Sequence, residues 1–315
     1  MQYAQFVTVL VVLLAPVALR AQTSRLPAAH AVTTDQSSET PPAGMAELTI
    51  QSHGSRMNGL LYTAGGGGDA LHPVVIFLHG YPGNERNLDL AQAVRRAGYH
   101  ALYFDYRGNW GSGGAFSMAH GLEDVEAALA WVRNPKNASQ YKLDVRHIAI
   151  VGHSYGGWLA LMTAARQPAN VCVAGMAAWN VGWDGQRFAT RSDERKLAVD
   201  GFRTTADTNG GPVHANAEEM VAAMSTNAAA WNYLATAPAL KSHALLLVAA
   251  TRDSPDEGVD MHKELADAVK RAGGRQVRSI TFDDDHPFSS HRIALAEAVI
   301  SWLQTDCASS WMTSK

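Results

Sequence analysis

Short apolar runs alternate along this chain with segments of helical periodicity, and this alternation limits the possible folds most strongly. Residues 74–78, 148–151 and 244–248 contain no polar side chain, which is typical of strands that are covered on both faces. Between them, residues 121–133 carry apolar side chains at spacings of three and four, the period of an amphipathic helix. The pattern predicts an α/β fold, a mostly parallel twisted sheet with helices on both faces.

The remaining segments extend this pattern. We predict a hairpin over 47–63. Residues 180–238 break the alternation, and we predict that they form a helical cap inserted over one end of the sheet, without a core of its own. The predicted helices are 85–97, 258–272 and 290–303, and the predicted strands are 101–104, 171–174 and, near the sheet edge, 276–282.

Composition excludes several classes of protein. Of the 315 residues, 47% are hydrophobic and 17% charged, against about 25% charged in an average protein, so a disordered chain is excluded. The net charge of −3 disfavours binding to a nucleic acid, whose phosphates require a basic surface, and we expect no nucleic-acid binding. Two cysteines exclude a disulfide-rich scaffold and a zinc site of four cysteines.

The first residues are typical of an export signal. Residues 6–19 form an apolar run that is short for a membrane span of about 20 residues, and small residues follow it. We predict a signal peptide over 1–21 and a secreted or periplasmic protein, with an uncleaved anchor as the alternative. Residues 22–45, rich in Ala, Thr, Ser and Pro, predict a flexible tether. We expect one domain over 46–305, a C-terminal tail over 306–315 and no membrane span in the mature chain.

Residues 152–156 (GHSYG) match the pattern G-x-S-x-G. The match is strong in its context, because an apolar strand precedes it and a helix follows it. Glycines are needed since the turn is too sharp for side chains beside the backbone, and the turn lifts Ser154 above the sheet edge. Ser154 is therefore the candidate nucleophile.

A serine hydroxyl needs a general base that is oriented by a carboxylate. In a fold of this kind the order along the chain is serine, acid, histidine. Asp253 follows the apolar run 244–248, and His286 follows the last predicted strand. Asp256 is an alternative acid. The acidic run 283–285 beside His286 predicts a solvated turn or, alternatively, a competing orienting group.

With these motifs the chain resembles the α/β-hydrolase superfamily, and is similar to its prolyl oligopeptidase-like and dienelactone hydrolase-like serine hydrolases, without a propeller domain. The resemblance covers 46–305 and also rests on residues 79–85 (HGYPGNE), 105–108 (DYRG) and 111–114 (GSGG). It implies Ser154 as nucleophile, Asp253 as orienting acid and His286 as base. It further implies an oxyanion hole from the backbone N–H groups of Tyr81 and Tyr155. Ala249 and Ala250 depart from the family's usual His-Gly before the acid.

The resemblance implies a serine hydrolase that needs no cofactor or metal. A carboxylesterase acting on a small-molecule ester is the leading hypothesis, and a peptidase acting on short peptides is the main alternative. Aromatic residues of the cap favour an apolar lid over the site or, alternatively, only bury the cap against the sheet. Glu218 and Glu219 could bind a peptide amine, but the favoured interpretation is that they face solvent on a helix. A catalytically idle binding protein is the alternative of another class.

Other polar residues near the motifs have structural interpretations. His79 and His153 are expected to pack around the site, and Arg107 to anchor a loop through a buried ion pair. Export would allow oxidation of Cys172 and Cys307. Both are expected at the end of the sheet opposite Ser154, and whether they bond is open.

Overall fold

The structure, a computed structural model, describes residues 27–35 and 39–313. The predicted signal peptide over 1–21 lies outside the described residues. Within the described part of the chain, no helix combines the length and apolar character that crossing a bilayer requires.

In the part of the chain that the structure describes, eight strands form a single sheet in the order β1-β2-β4-β3-β5-β6-β7-β8. The first two strands form the predicted hairpin, β1 and β2 are antiparallel to their neighbours, and all other pairings are parallel. The predicted α/β-hydrolase fold is confirmed. The strands are β1 (Gly44–Ser52), β2 (Ser55–Thr63), β3 (His72–Leu78), β4 (His100–Phe104), β5 (Leu143–His153), β6 (Val171–Met176), β7 (Leu245–Ala250) and β8 (Val277–Phe282).

Helices connect the parallel strands and cover both faces of the sheet. The helices outside the cap are α1 (Ala28–Thr33), α2 (Leu88–Arg96), α3 (Met118–Arg133), α4 (Pro135–Tyr141), α5 (Tyr155–Ala164), α11 (Val259–Arg271), α12 (Arg292–Trp302) and α13 (Ala308–Thr313), with a π-helical turn, Leu303–Cys307, before the last. The cap helices are α6 (Val181–Thr190), α7 (Ser192–Thr205), α8 (Ala217–Thr226), α9 (Ala228–Trp231) and α10 (Ala237–Leu240), with 3₁₀ turns at Asp207–Asn209 and Tyr233–Thr236.

The hydrophobic core forms one layer on each face of the sheet. The continuously apolar strands β3, β6 and β7 are buried along their whole length, as expected for strands covered on both faces. Helices α3, α5 and α11 contribute buried side chains to one layer, and α2 and α12 contribute to the other. The strand β8 alternates between half-buried and exposed residues, which agrees with its predicted place at the edge.

The cap occupies the stretch between β6 and β7 where the sequence predicted an insertion. Its helices α6 and α8 bury apolar side chains, whereas α7 has no buried residue. The helix α7 therefore lies on the outside of the cap and packs against the rest of the protein on one side only.

The terminal segments differ from the expectation. The described part of the predicted tether contains α1, which packs on α2 and α12 and buries Ala31 completely. Arg96 donates hydrogen bonds to the backbone oxygens of Ala31 and Val32 at 2.5 and 3.2 Å. The predicted tail contains α13, where Trp311 donates to the backbone oxygen of Asn170 at 2.8 Å. The sequence predicted a flexible tether and a tail because both segments consist mostly of small and polar residues, among which few side chains provide the anchoring contacts.

Cys172 and Cys307 form a disulfide, with their Cα atoms 5.8 Å apart and 135 positions between them. Cys172 lies in the first half of β6, so the bond is at the end of the sheet opposite the serine turn, as the sequence predicted. Both residues are fully buried. The disulfide joins the centre of the sheet to the C-terminal helices.

Candidate active site

Ser154 lies on the sharp turn between β5 and α5. Its backbone has φ +57° and ψ −121°, a conformation in which an L-residue is strained. A side chain on Gly152 would collide with the backbone of Gly156, and one on Gly156 would collide with the backbone of Leu78. This is the steric reason for glycine on both sides of the serine, and the turn aims the hydroxyl at the carboxyl edge of the sheet.

Asp253 and His286 are brought together at the same edge, from the loops that follow β7 and β8. The Nδ1 atom of His286 donates to Asp253 Oδ2 at 2.8 Å, and the Asp253 side chain is 3% exposed. Asp253 Oδ1 also accepts the backbone N–H of Ser254 at 2.8 Å, which fixes the carboxylate. Of the two acids that the sequence left open, Asp253 and not Asp256 contacts the histidine.

Glu257 was missed by sequence reasoning, although it stands four positions after Asp253 in the same loop. The Ser154 hydroxyl donates to Glu257 Oε1 at 3.0 Å. Glu257 Oε2 lies 3.4 Å from His286 Nδ1 and accepts from the Ser254 hydroxyl at 3.1 Å. Among the described contacts there is no hydrogen bond between Ser154 and His286. Catalytic hydrogen bonds often close when substrate binds, and a proton transfer from Ser154 to His286 would require the hydroxyl to turn away from Glu257.

The carboxylates control the charge of His286. Burial works to lower the pKa of His286, but the hydrogen bond to Asp253 and the negative charges of Glu257, Asp253 and Asp256 outweigh it and raise the pKa above its usual value. Burial, partly offset by the neighbouring imidazole, raises the pKa of Glu257. The site thus favours a positive imidazole, the state that forms when a histidine accepts a proton.

The residues of the expected oxyanion hole border the serine. Gly80 approaches so closely that a Cβ there would lie 3.0 Å from Ser154 Cβ, and Tyr81 follows it. Tyr155 is the first residue of α5. Within the described residues neither tyrosine amide donates a hydrogen bond to the protein, so both N–H groups are available to a ligand. The Tyr81 hydroxyl is hydrogen-bonded to Thr205 Oγ1 of α7 at 2.5 Å.

The two other histidines near the site are buried and bonded to backbone. His153 donates from Nε2 to the backbone oxygen of His286 at 2.9 Å, and burial lowers its pKa to about 3. His79 donates from Nδ1 to the backbone oxygen of Gly80 at 2.7 Å, and burial lowers its pKa to about 4. Both are neutral at physiological pH, and they hold the backbone at His286 and at Gly80.

Two further expectations concern charged loops. Arg107 donates from Nε to Asp124 at 2.6 Å and from Nη2 to Glu123, so the predicted buried anchor is confirmed. The expected solvated turn at 283–285 is wrong for Asp284, which is fully buried. Asp284 accepts hydrogen bonds from His291 Nδ1 at 2.8 Å and from backbone N–H groups, so it organises the loop and does not contact the imidazole of His286.

A cavity of about 470 Å³ opens above Ser154 and His286. This volume is within the usual range for a small-molecule site. Of the cap aromatics, Phe188 and Phe202 line the cavity, whereas Trp231 and Tyr233 are buried in the core. The two interpretations of the cap aromatics therefore apply to different residues: some line the cavity, and others bury the cap. The other lining residues are Tyr81, Trp179, Asp184, Ala198, Gly201, Thr205, Asp256 and Glu257.

Glu218 and Glu219 lie away from this cavity. They are exposed in the first turn of α8, and Glu218 forms an ion pair with Arg203. The favoured expectation that they face solvent on a helix is confirmed, and the alternative that they bind a peptide amine near Ser154 is wrong.

One group of side chains has the spacing of a metal site. Asp253, Glu257 and His286 each offer one ligand atom within 4.8 Å of the others. The His286 atom nearest to both carboxylates is Nδ1, which already donates to Asp253. That protonated nitrogen cannot bind a metal at the same time, so the arrangement suits proton transfer better.

Comparisons with known proteins agree with the fold. The chain is 32% identical over 130 residues to an uncharacterised protein of Mycobacterium tuberculosis, covering 40% of this chain and 43% of that protein. It is 33% identical over 101 residues to 2-succinyl-6-hydroxy-2,4-cyclohexadiene-1-carboxylate synthase of Escherichia coli, covering 32% of this chain and 36% of that enzyme. The chain thus spans less than half the length of these relatives.

Solved structures of hydrolases share the architecture. Est1E from Butyrivibrio proteoclasticus matches with a TM-score of 0.59 and 14% identity, over 83% of this chain and 99% of that one. The Pyrococcus furiosus esterase Pf2001 matches with a TM-score of 0.58 and 17% identity, over 83% and 90%. The acylaminoacyl peptidase of Pyrococcus horikoshii matches with a TM-score of 0.57 and 15% identity, over 84% and 42%. At such identities these likenesses support the fold alone.

A sequence model described as the alpha/beta hydrolase family matches residues 75–298. That stretch runs from β3 to α12 and includes the serine turn and the loops after β7 and β8. The chain therefore belongs to the alpha/beta hydrolase family.

Proposed function

We propose that this protein is an exported serine hydrolase that cleaves esters through an acyl-enzyme, with Ser154 as nucleophile, His286 as general base and Asp253 as orienting acid. The observation that carries the proposal is the 2.8 Å hydrogen bond between His286 and Asp253 at the cavity whose lining includes Ser154.

The mechanism follows from the positions of these groups. His286 Nε2 takes the proton of Ser154 as its oxygen attacks the carbonyl carbon, and Asp253 stabilises the imidazolium. The N–H groups of Tyr81 and Tyr155 stabilise the oxyanion. The imidazolium then protonates the leaving alcohol, and the acyl group passes to Ser154. A water molecule, deprotonated by His286, releases the acid and restores the serine. The imidazolium returns the water proton to the Ser154 oxygen as the acid leaves. Every proton therefore moves between Ser154, substrate, water and His286, and the cycle balances.

The restricted, partly aromatic cavity supports an esterase for small or medium acyl groups. A peptidase for short peptides uses the same steps and remains the second candidate. Side-by-side kinetics on an aryl ester and an aminoacyl anilide separate the two.

The Cys172–Cys307 disulfide supports the proposed export, because such bonds persist in oxidising compartments and are rare in the cytosol.

Labelling with a fluorophosphonate tests the proposal directly. These reagents phosphonylate activated serines, so we expect one adduct, on the peptide that contains Ser154, as located by mass spectrometry. The His286→Ala variant should label far more slowly, since its serine lacks a base. An intact protein that is not labelled would contradict the proposed hydrolase and support an idle binding fold.

The raised pKa of His286 predicts the pH dependence of the reaction. The neutral imidazole is the active form, so kcat/KM for a neutral ester should rise with pH through the His286 pKa. Because the carboxylates raise that pKa, the midpoint should lie above 6.5, the ordinary value for histidine. Initial rates between pH 5 and 9 measure it. A midpoint below the ordinary value would show that burial outweighs the carboxylates.

A further inference from the structure

The catalytic cavity combines aromatic rings with carboxylates. Tyr81, Trp179, Phe188 and Phe202 supply four rings, and Asp184, Asp256 and Glu257 supply three carboxyl groups. Such surroundings disfavour an anionic ligand. A neutral ligand would bring no positive charge to pair with the carboxylates. Aromatic faces and carboxylates together are what attract organic cations.

Glu257 is the carboxylate closest to the chemistry. Its side chain is 16% exposed, and its Oε1 lies 3.0 Å from the Ser154 oxygen. Among the described residues, no lysine or arginine is within 4 Å of it, and its charged neighbour is His286. A substituent on the α-carbon of an acyl group comes within a few ångströms of the attacking oxygen. Glu257 therefore lies where such a substituent would be placed.

Asp256 is a second cavity carboxylate that has no lysine or arginine partner among the described residues. Asp256 is 9% exposed, and it borders the cavity. Its neighbour is another acid, Asp184, and burial together with Asp256 raises the pKa of Asp184. In the described structure, no lysine or arginine nitrogen approaches Asp256 within ion-pair distance, whereas Arg187 lies 3.0 Å from Asp184.

The basic group beside Asp184, the Arg187 guanidinium, already pairs with two carboxylates of the described structure. Arg187 bonds Asp184 Oδ1 and also pairs with Glu194 at 2.7 Å. The other oxygen of Asp184 accepts from Trp179 Nε1 at 2.8 Å. One arginine thus serves two carboxylates. Among the described residues, Asp256 and Glu257 face the cavity without a lysine or arginine partner, and the basic group beside Glu257 is the His286 imidazole.

We infer that this cavity selects substrates whose acyl group carries an organic cation, such as an ammonium, beside the scissile carbonyl. Glu257 binds the cation from the nucleophile side, Asp256 lies behind it, and the aromatic rings enclose its alkyl groups. The inference rests on the proposed function, because it assigns the substrate class of the same site.

A pair of isosteric esters tests this selection. The ethyl ester of betaine carries a quaternary nitrogen where ethyl 3,3-dimethylbutyrate carries carbon, so shape is conserved and charge does not depend on pH. Acid release by the full chain gives kcat/KM for each ester. Their intrinsic reactivities cancel when the cation-to-neutral ratio is compared between wild type and the variants Glu257→Gln and Asp256→Asn. The exposed Asp260 of α11 provides a matched control, Asp260→Asn, with the same change of charge outside the cavity.

We expect each cavity variant to lower the ratio by about tenfold or more, the effect of one lost ion pair in a partly buried site. The control should keep it within about twofold. An unchanged ratio in both cavity variants, or an equal fall in the control, would overturn the inference. A preference found for choline butyrate over 3,3-dimethylbutyl butyrate, and not for the betaine pair, would overturn the acyl-side placement.

A binding measurement separates this inference from the proposed function. Calorimetric titration of the full chain with tetramethylammonium needs no turnover, and binding should weaken in both cavity variants but not in Asp260→Asn. Cation binding that depends on these carboxylates, without ester hydrolysis or labelling of Ser154, would contradict the hydrolase alone. Hydrolysis of the neutral ester without such binding would contradict the cation site alone.

Discussion

Replacing Ser154 by alanine is expected to lower kcat for a neutral aryl ester by about 10⁴- to 10⁶-fold. The substitution removes the atom that is proposed to form the acyl-enzyme. The other hydroxyl of this turn, that of Tyr155, is buried and donates to the backbone oxygen of Met118. Alanine fits the same backbone, and the hydroxyl that is lost bonds Glu257 alone. Stopped assays with high enzyme concentration, compared with buffer alone, measure the residual rate.

Ser289→Ala is the matched control for this variant. Ser289 is exposed three positions after His286, and its hydroxyl bonds no group in the described structure. Its replacement should leave kcat within about twofold. A Ser154→Ala enzyme that retains a tenth of the wild-type rate would exclude the acyl-enzyme mechanism, provided that circular dichroism shows both variants folded.

Replacing Asp253 by asparagine is expected to lower kcat by about 10³- to 10⁴-fold. Asparagine has the same shape but presents either an N–H or a weaker acceptor to His286 Nδ1. When it presents an N–H, the imidazole adopts the tautomer whose Nε2 carries hydrogen and cannot accept the serine proton. The 2.8 Å contact and the nearly complete burial of the carboxylate leave little room for water to substitute.

The acidic run near the histidine supplies the control. Asp283 is close to His286 in sequence, but its side chain is exposed and pairs with Arg252, so Asp283→Asn should change kcat by no more than about threefold. An equal loss in both variants would mean that general charge near His286, and not the bond to Asp253, supports the reaction.

The sequence was sufficient for the fold because the core obeys simple periodicity. The strand β7 and residues 74–78 of β3 are apolar throughout, and glycine at 152 and 156 is imposed by backbone contacts that any such turn requires. The same order of elements also placed Asp253 and His286 in adjacent loops, since the parallel strands β7 and β8 end at one edge.

What the sequence could not reveal depends on side-chain direction in irregular loops. Asp253, Asp256 and Glu257 lie within five positions, and no periodicity distinguishes the one that meets the imidazole from the one that meets the serine. Asp284 looked like a surface acid for a similar reason, because its burial depends on backbone N–H groups of its own loop.

The disulfide closes a covalent ring that includes two of the three proposed catalytic residues and excludes the third. The covalent ring that it closes, from Cys172 to Cys307, contains the cap, Asp253 and His286, whereas Ser154 lies outside it. A single proteolytic cut in the exposed helix α7 would therefore open the ring without releasing a fragment. The nicked protein would keep the proposed acid and base tied to the strand next to Ser154, and after reduction only non-covalent contacts would hold its two pieces together.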